Sequence, residues 1–179
     1  MIGKQTDFRY LRILLVSAKP HVVQVMRHVL AINGVLEIEV ATSGHIALDL
    51  LRANRFNAVF CDDSCGELQG KSFAFAMRRD PDVLNAMTPL FLICGSPRRR
   101  DIELARDSGY TDVVCRPMSA GTVARKLRQA TESPRPFIAA SDFFGPDRRA
   151  APRDSFRGEE RRKRAARKVK VAAPSEKFL

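Results

Sequence analysis

Two groups of residues in this sequence have the types and spacing to do chemistry, and they lie far apart in the chain. One is Asp62-Asp63, a carboxylate pair that closes the apolar run Asn57–Cys61. The other is a doubled stretch. Phe143-Phe144-Gly145-Pro146-Asp147-Arg148-Arg149 is answered thirteen residues later by Phe156-Arg157-Gly158-Glu159-Glu160-Arg161-Arg162, and five of the seven positions agree in type. Each copy holds an aromatic ring, a glycine, an acid and an arginine pair. A merely solvated charge run has no reason to keep acids beside its arginines.

An arginine fork bonds the O6 and N7 edge of guanine, pairs with phosphate and stacks on a base. A carboxylate accepts from the N1–H and N2–H₂ edge of guanine, which arginine cannot do. Glycine lets backbone approach a ligand closely. Acid and arginine in one short loop therefore read both edges of a guanine, and two copies ask for a ligand with two guanines and two phosphates. Cyclic di-GMP meets that request. Arg148 and Arg161 are expected on guanine edges, Arg149 and Arg162 on a base face or phosphate, and Asp147 and Glu160 on the guanine N–H groups. Gly145 and Gly158 give the close approach, and Arg153 and Arg157 are phosphate contacts. Ordering some twenty residues is costly, which favours two stacked ligands per chain and a tail that is disordered until they bind. Phe143, Phe144 and Phe156 are expected to pack on the body rather than on a base.

Positioning elements come before this tail. Short apolar runs at Leu11–Val16, Val35–Val40, Asn57–Cys61, Pro89–Cys94 and Thr111–Cys115 read as strands. Amphipathic stretches separate them. Val22, Val25, Met26, Val29 and Leu30 fall on one face of the first helix, and Ile46, Leu50 and Leu51 on that of the second. A third helix starts near Lys71, a fourth is closed by Gly109, and Ser119 caps the last. Five β–α units in strict alternation predict an α/β fold, a five-stranded parallel doubly wound sheet with helices on both faces. Chemistry in such sheets gathers at the carboxyl ends of the strands.

Charge divides the chain at the same point. Up to Ser133 there are 18 bases and 14 acids; from 134 onward there are 13 bases and 6 acids. The expected organisation is a folded domain over 1–133 and an arginine-rich tail over 134–179, with the basic run 161–171 helical and an anionic partner implied. Cys61, Cys65, Cys94 and Cys115 have no metal spacing and read as small core residues of a reducing compartment. No signal peptide or membrane span is legible, so a cytoplasmic, monomeric protein is expected. No nucleophile–base pair or metal cluster argues for an enzyme, and no metal is expected.

The segment from Leu11 to about Ala130 resembles the receiver domain of bacterial response regulators, the CheY-like fold. The residues that carry the resemblance are Asp62 with Gly70 eight positions on, and Cys115-Arg116-Pro117-Met118 after the fifth strand. It implies that Asp62 sits at the phosphoacceptor position, which in that family works with a bound Mg²⁺. The family's further carboxylates would fall at Ser17 and Ala18, its lysine at Arg116, its hydroxyl at Cys94 and its switch aromatic at Val113. One carboxylate holds Mg²⁺ poorly, and strand alternation turns Asp63 away. Asp62 is therefore expected to be phosphorylation-inert and paired with Arg116.

A receiver followed by the doubled stretch is also similar to the Cle proteins, CheY-like effectors that bind c-di-GMP through an arginine-rich segment. That resemblance implies ligand-dependent docking to the flagellar motor switch, modulation of motility and surface attachment, and recruitment to the flagellated pole. Two rival readings are a nucleic-acid-binding protein with a basic arm and a phosphorylation-dependent single-domain regulator.

Overall fold

The computed structural model describes residues 7–63, 68, 70–140, 143–148 and 167–169. Five parallel strands, β1 (Arg12–Val16), β2 (Glu37–Ala41), β3 (Ala58–Asp62), β4 (Leu90–Cys94) and β5 (Asp112–Cys115), lie in the order β2-β1-β3-β4-β5. Helices α1 (Pro20–Ile32), α2 (Gly44–Ala53), α3 (Gly70–Arg79), α4 (Arg99–Asp107) and α5 (Ala120–Glu132) connect and follow them. The expected α/β architecture is present, each strand within about two residues of its apolar run.

Alternation along the central strand builds two cores. Val59 and Cys61 pack with Phe73 and Met77 of α3 on one face. Ala58 and Phe60 pack with Met26 of α1 and Leu127 of α5 on the other. Phe60 stacks on Phe91 with ring centroids 4.8 Å apart, so the sheet is buried on both sides, as a parallel sheet must be. Helix starts follow local signals. Pro20 opens α1, and the hydroxyls of Ser43 and Ser119 accept from the amides of Ile46 and Thr122 to cap α2 and α5.

Two inward assignments need correction. Val25 and Ile46 are exposed. At 100° per residue Val22, Met26, Val29 and Leu30 already form the buried stripe of α1, and Val25 falls at its edge. In α2 the stripe is Ala47, Leu48 and Leu51, which leaves Ile46 on the opposite side.

The chain does not leave the body after α5. Beyond Glu132, β6 (Phe137–Ala139) pairs antiparallel with both β7 (Phe144–Pro146) and β8 (Arg167–Val169), in the order β7-β6-β8. Phe137, Ile138 and Phe143 are buried. The helix expected over 161–171 is corrected where that run is described: 167–169 is a strand, with Val169 opposite Phe137. Pairing against an available edge overrides the helix propensity of the basic run.

Arg78 near the end of α3 lies between the body and the small sheet. Its buried guanidinium donates to the carbonyls of Gly109 (3.0 Å), Thr88 (2.7 Å) and Ala86, and lies 5.1 Å over the Phe137 ring. Burial pulls its pKa down to about 9, and the group stays cationic at neutral pH. The sheet thus sits where β4 and β5 begin, at the opposite end of the domain from the carboxyl ends of the strands.

Candidate functional site

At the carboxyl end of the parallel sheet, β3 ends in Asp62, fully buried, and the next residue, Asp63, is exposed at the mouth of a pocket. Ser17, the residue after β1, is buried beside them and its hydroxyl donates to Asp62 Oδ2 at 3.4 Å. The same hydroxyl accepts from the backbone amide of Lys19 at 3.2 Å, which holds the β1–α1 turn against the acid. Lys19 then turns its ammonium to 3.9 Å from Asp62 Oδ2. Arg116, just past β5, reaches Asp63 Oδ1 at 3.5 Å.

These contacts correct two expectations. The cation beside Asp62 is Lys19, and Arg116 pairs with Asp63 instead. Asp63 is not turned away from the pocket, because the chain leaves the strand after Asp62 and alternation ends with it. Burial raises the Asp63 pKa, as do the charge of Asp62 and a hydrogen bond with it, while Arg116 and Lys19 oppose the rise. Lys19 was missed because its value depends on the turn geometry. The available signal was a lysine two residues past Ser17, next to the positions where carboxylates are lacking.

Among the described residues the oxygens that face this pocket are few for a divalent cation. Magnesium needs several convergent oxygen ligands. The strand-one side contributes one buried hydroxyl and, at Ala18, none, and two protein cations already face the two carboxylates. Among the described residues no cluster of three or more His, Cys, Asp or Glu is placed to hold a metal. The pocket opens into a cleft of about 440 Å³ lined by Asp63, Lys71, Cys94, Ser96, Val113 and Arg116.

The first copy of the doubled stretch lies on the small sheet at the far end. Phe143 is buried and Phe144 meets Phe137 with centroids 5.5 Å apart. Gly145 is required by close packing: a Cβ there would stand 3.0 Å from Gly109 Cα and 2.8 Å from the Phe143 ring. Gly109 itself has φ +100° and a Cβ would meet the Phe144 carbonyl at 3.3 Å. The Asp147 amide donates to the Pro136 carbonyl at 2.8 Å. Arg148 ion-pairs with Asp107 at the end of α4 and stacks 4.1 Å from the centroid of the Phe143 ring. Gly145 is thus buried against the body, Asp147 is partly buried, and Arg148 is exposed at the surface. Arg149, Arg153, Arg157, Gly158, Glu160, Arg161 and Arg162 lie outside the described residues, as do Cys65 and Phe156.

Of the cysteines expected in the core, Cys61 and Cys94 are buried, whereas Cys115 is exposed at the end of edge strand β5. Among the described residues no helix is long and apolar enough to cross a membrane.

The family model for the response regulator receiver domain matches residues 13–128. Among solved structures, the chain is similar to chemotaxis protein CheY4 of Vibrio cholerae, at 22% identity and TM-score 0.59, with 66% of this chain and 97% of that one covered. It is similar to a putative response regulator from Chloroflexus aurantiacus, at 21% identity and TM-score 0.59, covering 65% of this chain and 97% of that one. A third is the receiver domain of a sensor histidine kinase from Pseudomonas aeruginosa, at 21% identity and TM-score 0.59, covering 66% and 95%. In that structure a magnesium ion is coordinated in the active-site cleft. At these identities the likeness establishes the fold, and the residues of the pocket carry their own argument.

Proposed function

The chain belongs to the response regulator receiver domain family, and from that membership we propose a receiver whose input has moved from the acid pocket to the tail. In this reading the protein is a non-enzymatic effector: the doubled arginine-rich stretch binds c-di-GMP, and the receiver body docks to the flagellar motor switch to modulate motility and attachment. The observation that carries the reading is the placement of the first copy. Phe143 and Gly145 fasten it to the body, while Arg148 stays on the surface against an aromatic face.

That arrangement supports a sequence of events built from this chain's own groups. Arg148 is held by Asp107 in the absence of ligand. A guanine edge or phosphate competes for the same fork, and a charge-assisted bond to a well-placed anion is shorter and stronger than an exposed ion pair. The second copy, carrying Glu160, Arg161 and Arg162, closes over the other half of the ligand. Because the first copy is already anchored, less of the ordering cost falls on binding, which eases the argument for two ligands without removing it.

The acid pocket supports the same reading from the other side. With no carboxylate at Ser17 or Ala18 to help hold a divalent cation, phosphoryl transfer to Asp62 would have only Lys19 and Arg116 for charge neutralisation. The rival basic-arm reading explains the tail's charge but not the acid kept in each copy. The test is calorimetric titration of the full chain with c-di-GMP, beside the Arg148→Ala, Arg161→Ala double variant. The expected result is two ligands per chain and an affinity at least about a hundredfold weaker in the double variant, each arginine losing a bond to a charged group. Absence of binding by the wild-type chain overturns the proposal. Steeply salt-dependent binding to duplex DNA of any sequence, without c-di-GMP binding, favours the basic arm.

A further inference from the structure

Strand register brings together two thiols that lie far apart in the sequence. Cys94 ends β4 and Cys115 ends β5, and the two are direct partners across the parallel pair. Val113, two residues before Cys115, packs in the same core layer as Cys94. Strand alternation therefore turns the Cys115 side chain toward the Cys94 side of the sheet. The Cys115 thiol lies close enough to Cys94 to help raise its pKa. One is exposed and the other is buried at the wall of the 440 Å³ cleft. Neighbouring strands lie about 4.8 Å apart, inside the range of Cα separations that a disulfide spans.

We propose that Cys94 and Cys115 are a reversible thiol–disulfide pair, oxidised by hydrogen peroxide, that links the ends of β4 and β5 beside the acid pocket. Cys115 is the accessible thiol and reacts first. Its thiolate attacks one peroxide oxygen, the O–O bond breaks, and the departing hydroxide leaves as water once protonated, so the Cys115 sulfur becomes a sulfenic acid. The Cys94 sulfur then attacks the Cys115 sulfur. The S–O bond breaks, the S–S bond forms, and the hydroxide takes the proton of Cys94 to leave as a second water. Two thiols lose two electrons and one peroxide becomes two waters.

Burial, with the neighbouring Cys115 thiol, pushes the Cys94 pKa up to about 12. The second step is therefore the slow one and accelerates with pH, while the fixed proximity of the two sulfurs offsets the low thiolate fraction. A bridge between in-register parallel residues is short of the relaxed geometry, which makes it readily reducible, as regulatory bridges are. Its position sets the consequence. Cys115 immediately precedes Arg116, so closing the bridge draws on the Arg116–Asp63 pair and removes a thiol from the cleft wall.

The test is oxidation of the reduced full-length chain with equimolar hydrogen peroxide, read by intact mass and by tryptic mapping without reductant. Trypsin separates the partners, since Cys94 falls in peptide 80–98 and Cys115 in 107–125, while Cys61 and Cys65 share peptide 56–71. The expected result is loss of two hydrogens, about 2 Da, a cross-link of 80–98 to 107–125, and full recovery with dithiothreitol. Bridge formation should accelerate between pH 7 and pH 9. Cys94→Ser and Cys115→Ser should each abolish the cross-link, and the wild-type peptide map decides the matter even if either variant folds poorly. Cys115 ending as sulfinic acid with Cys94 still reduced, or a bridge that uses peptide 56–71, overturns the proposal.

Discussion

The two ends of this domain have diverged in opposite directions. At the carboxyl end of the sheet, where the receiver family places a metal and a phosphoacceptor, the carboxylates face the chain's own Lys19 and Arg116. At the amino end a three-stranded sheet has been added, carrying an aromatic, glycine, acid and arginine cluster against α3 and α4. The contrast teaches that one fold can keep its sheet while the side chains at its two ends change independently, since function lives in sites rather than in folds.

The comparison breaks most readily at Arg78, which joins three backbone carbonyls of the body beneath the Phe137 ring of the added sheet. Arg78→Met leaves the carbonyls of Gly109, Thr88 and Ala86 without their donor. It should cost on the order of 3–5 kcal/mol in urea unfolding. The loss should appear first as rapid amide exchange at Ile138 and Gly145, with β1 and β3 still protected. Next in size is Gly145→Ala. Its Cβ meets Gly109 backbone and the buried Phe143 ring at 3.0 and 2.8 Å, so about 1–3 kcal/mol is expected by thermal melting. An unchanged melting temperature would show that the first copy is not fastened as described.

Much of the amino-acid order is transparent to this architecture, and the reasons for success and failure are physical. The parallel sheet was legible because each strand is a short apolar run between helix signals, as in Leu90–Cys94 followed by Arg99–Asp107. Asp62 was legible from its place at a strand end and its distance to Gly70. Lys19 was not, because a lysine after a strand looks like any solvated side chain until the turn folds it back. Arg78 was equally hidden, as an arginine in the last turn of a helix reads as a solvated end. β6, β7 and β8 escaped because three-residue strands have no period to detect, and the Cys94–Cys115 pairing depends on a register that sequence does not state. The doubled stretch stood out by repetition, but repetition did not say that Gly145 packs against Gly109.

A smaller effect sharpens the comparison at the motif. Asp107→Asn removes the ion pair that holds Arg148. Stability should change by under about 1 kcal/mol, as for exposed pairs, while c-di-GMP affinity should rise a few-fold because the fork no longer has to be released. Weaker binding would mean that Asp107 orients the arginine for ligand instead of restraining it. The smallest effect lies in the acid pocket. Since the folded-state pKa of Asp63 is raised, the folded state holds a proton that the unfolded chain releases near pH 4. Its contribution is therefore lost as pH rises from there through the raised value. Asp63→Asn should flatten that decline in a pH series of urea midpoints, and an identical slope in both proteins would place Asp63 outside the influence of Asp62.

The most direct test of an input transferred from pocket to tail is a paired measurement on one preparation of the full chain. Half is titrated with c-di-GMP and with cyclic di-AMP, and half is incubated with acetyl phosphate and Mg²⁺ and weighed by intact mass spectrometry. The account predicts binding of the guanine dinucleotide, rejection of the adenine one for want of an O6 acceptor, and no phosphorylated species. Stoichiometric phosphorylation at Asp62, or equal affinity for the two dinucleotides, would contradict it.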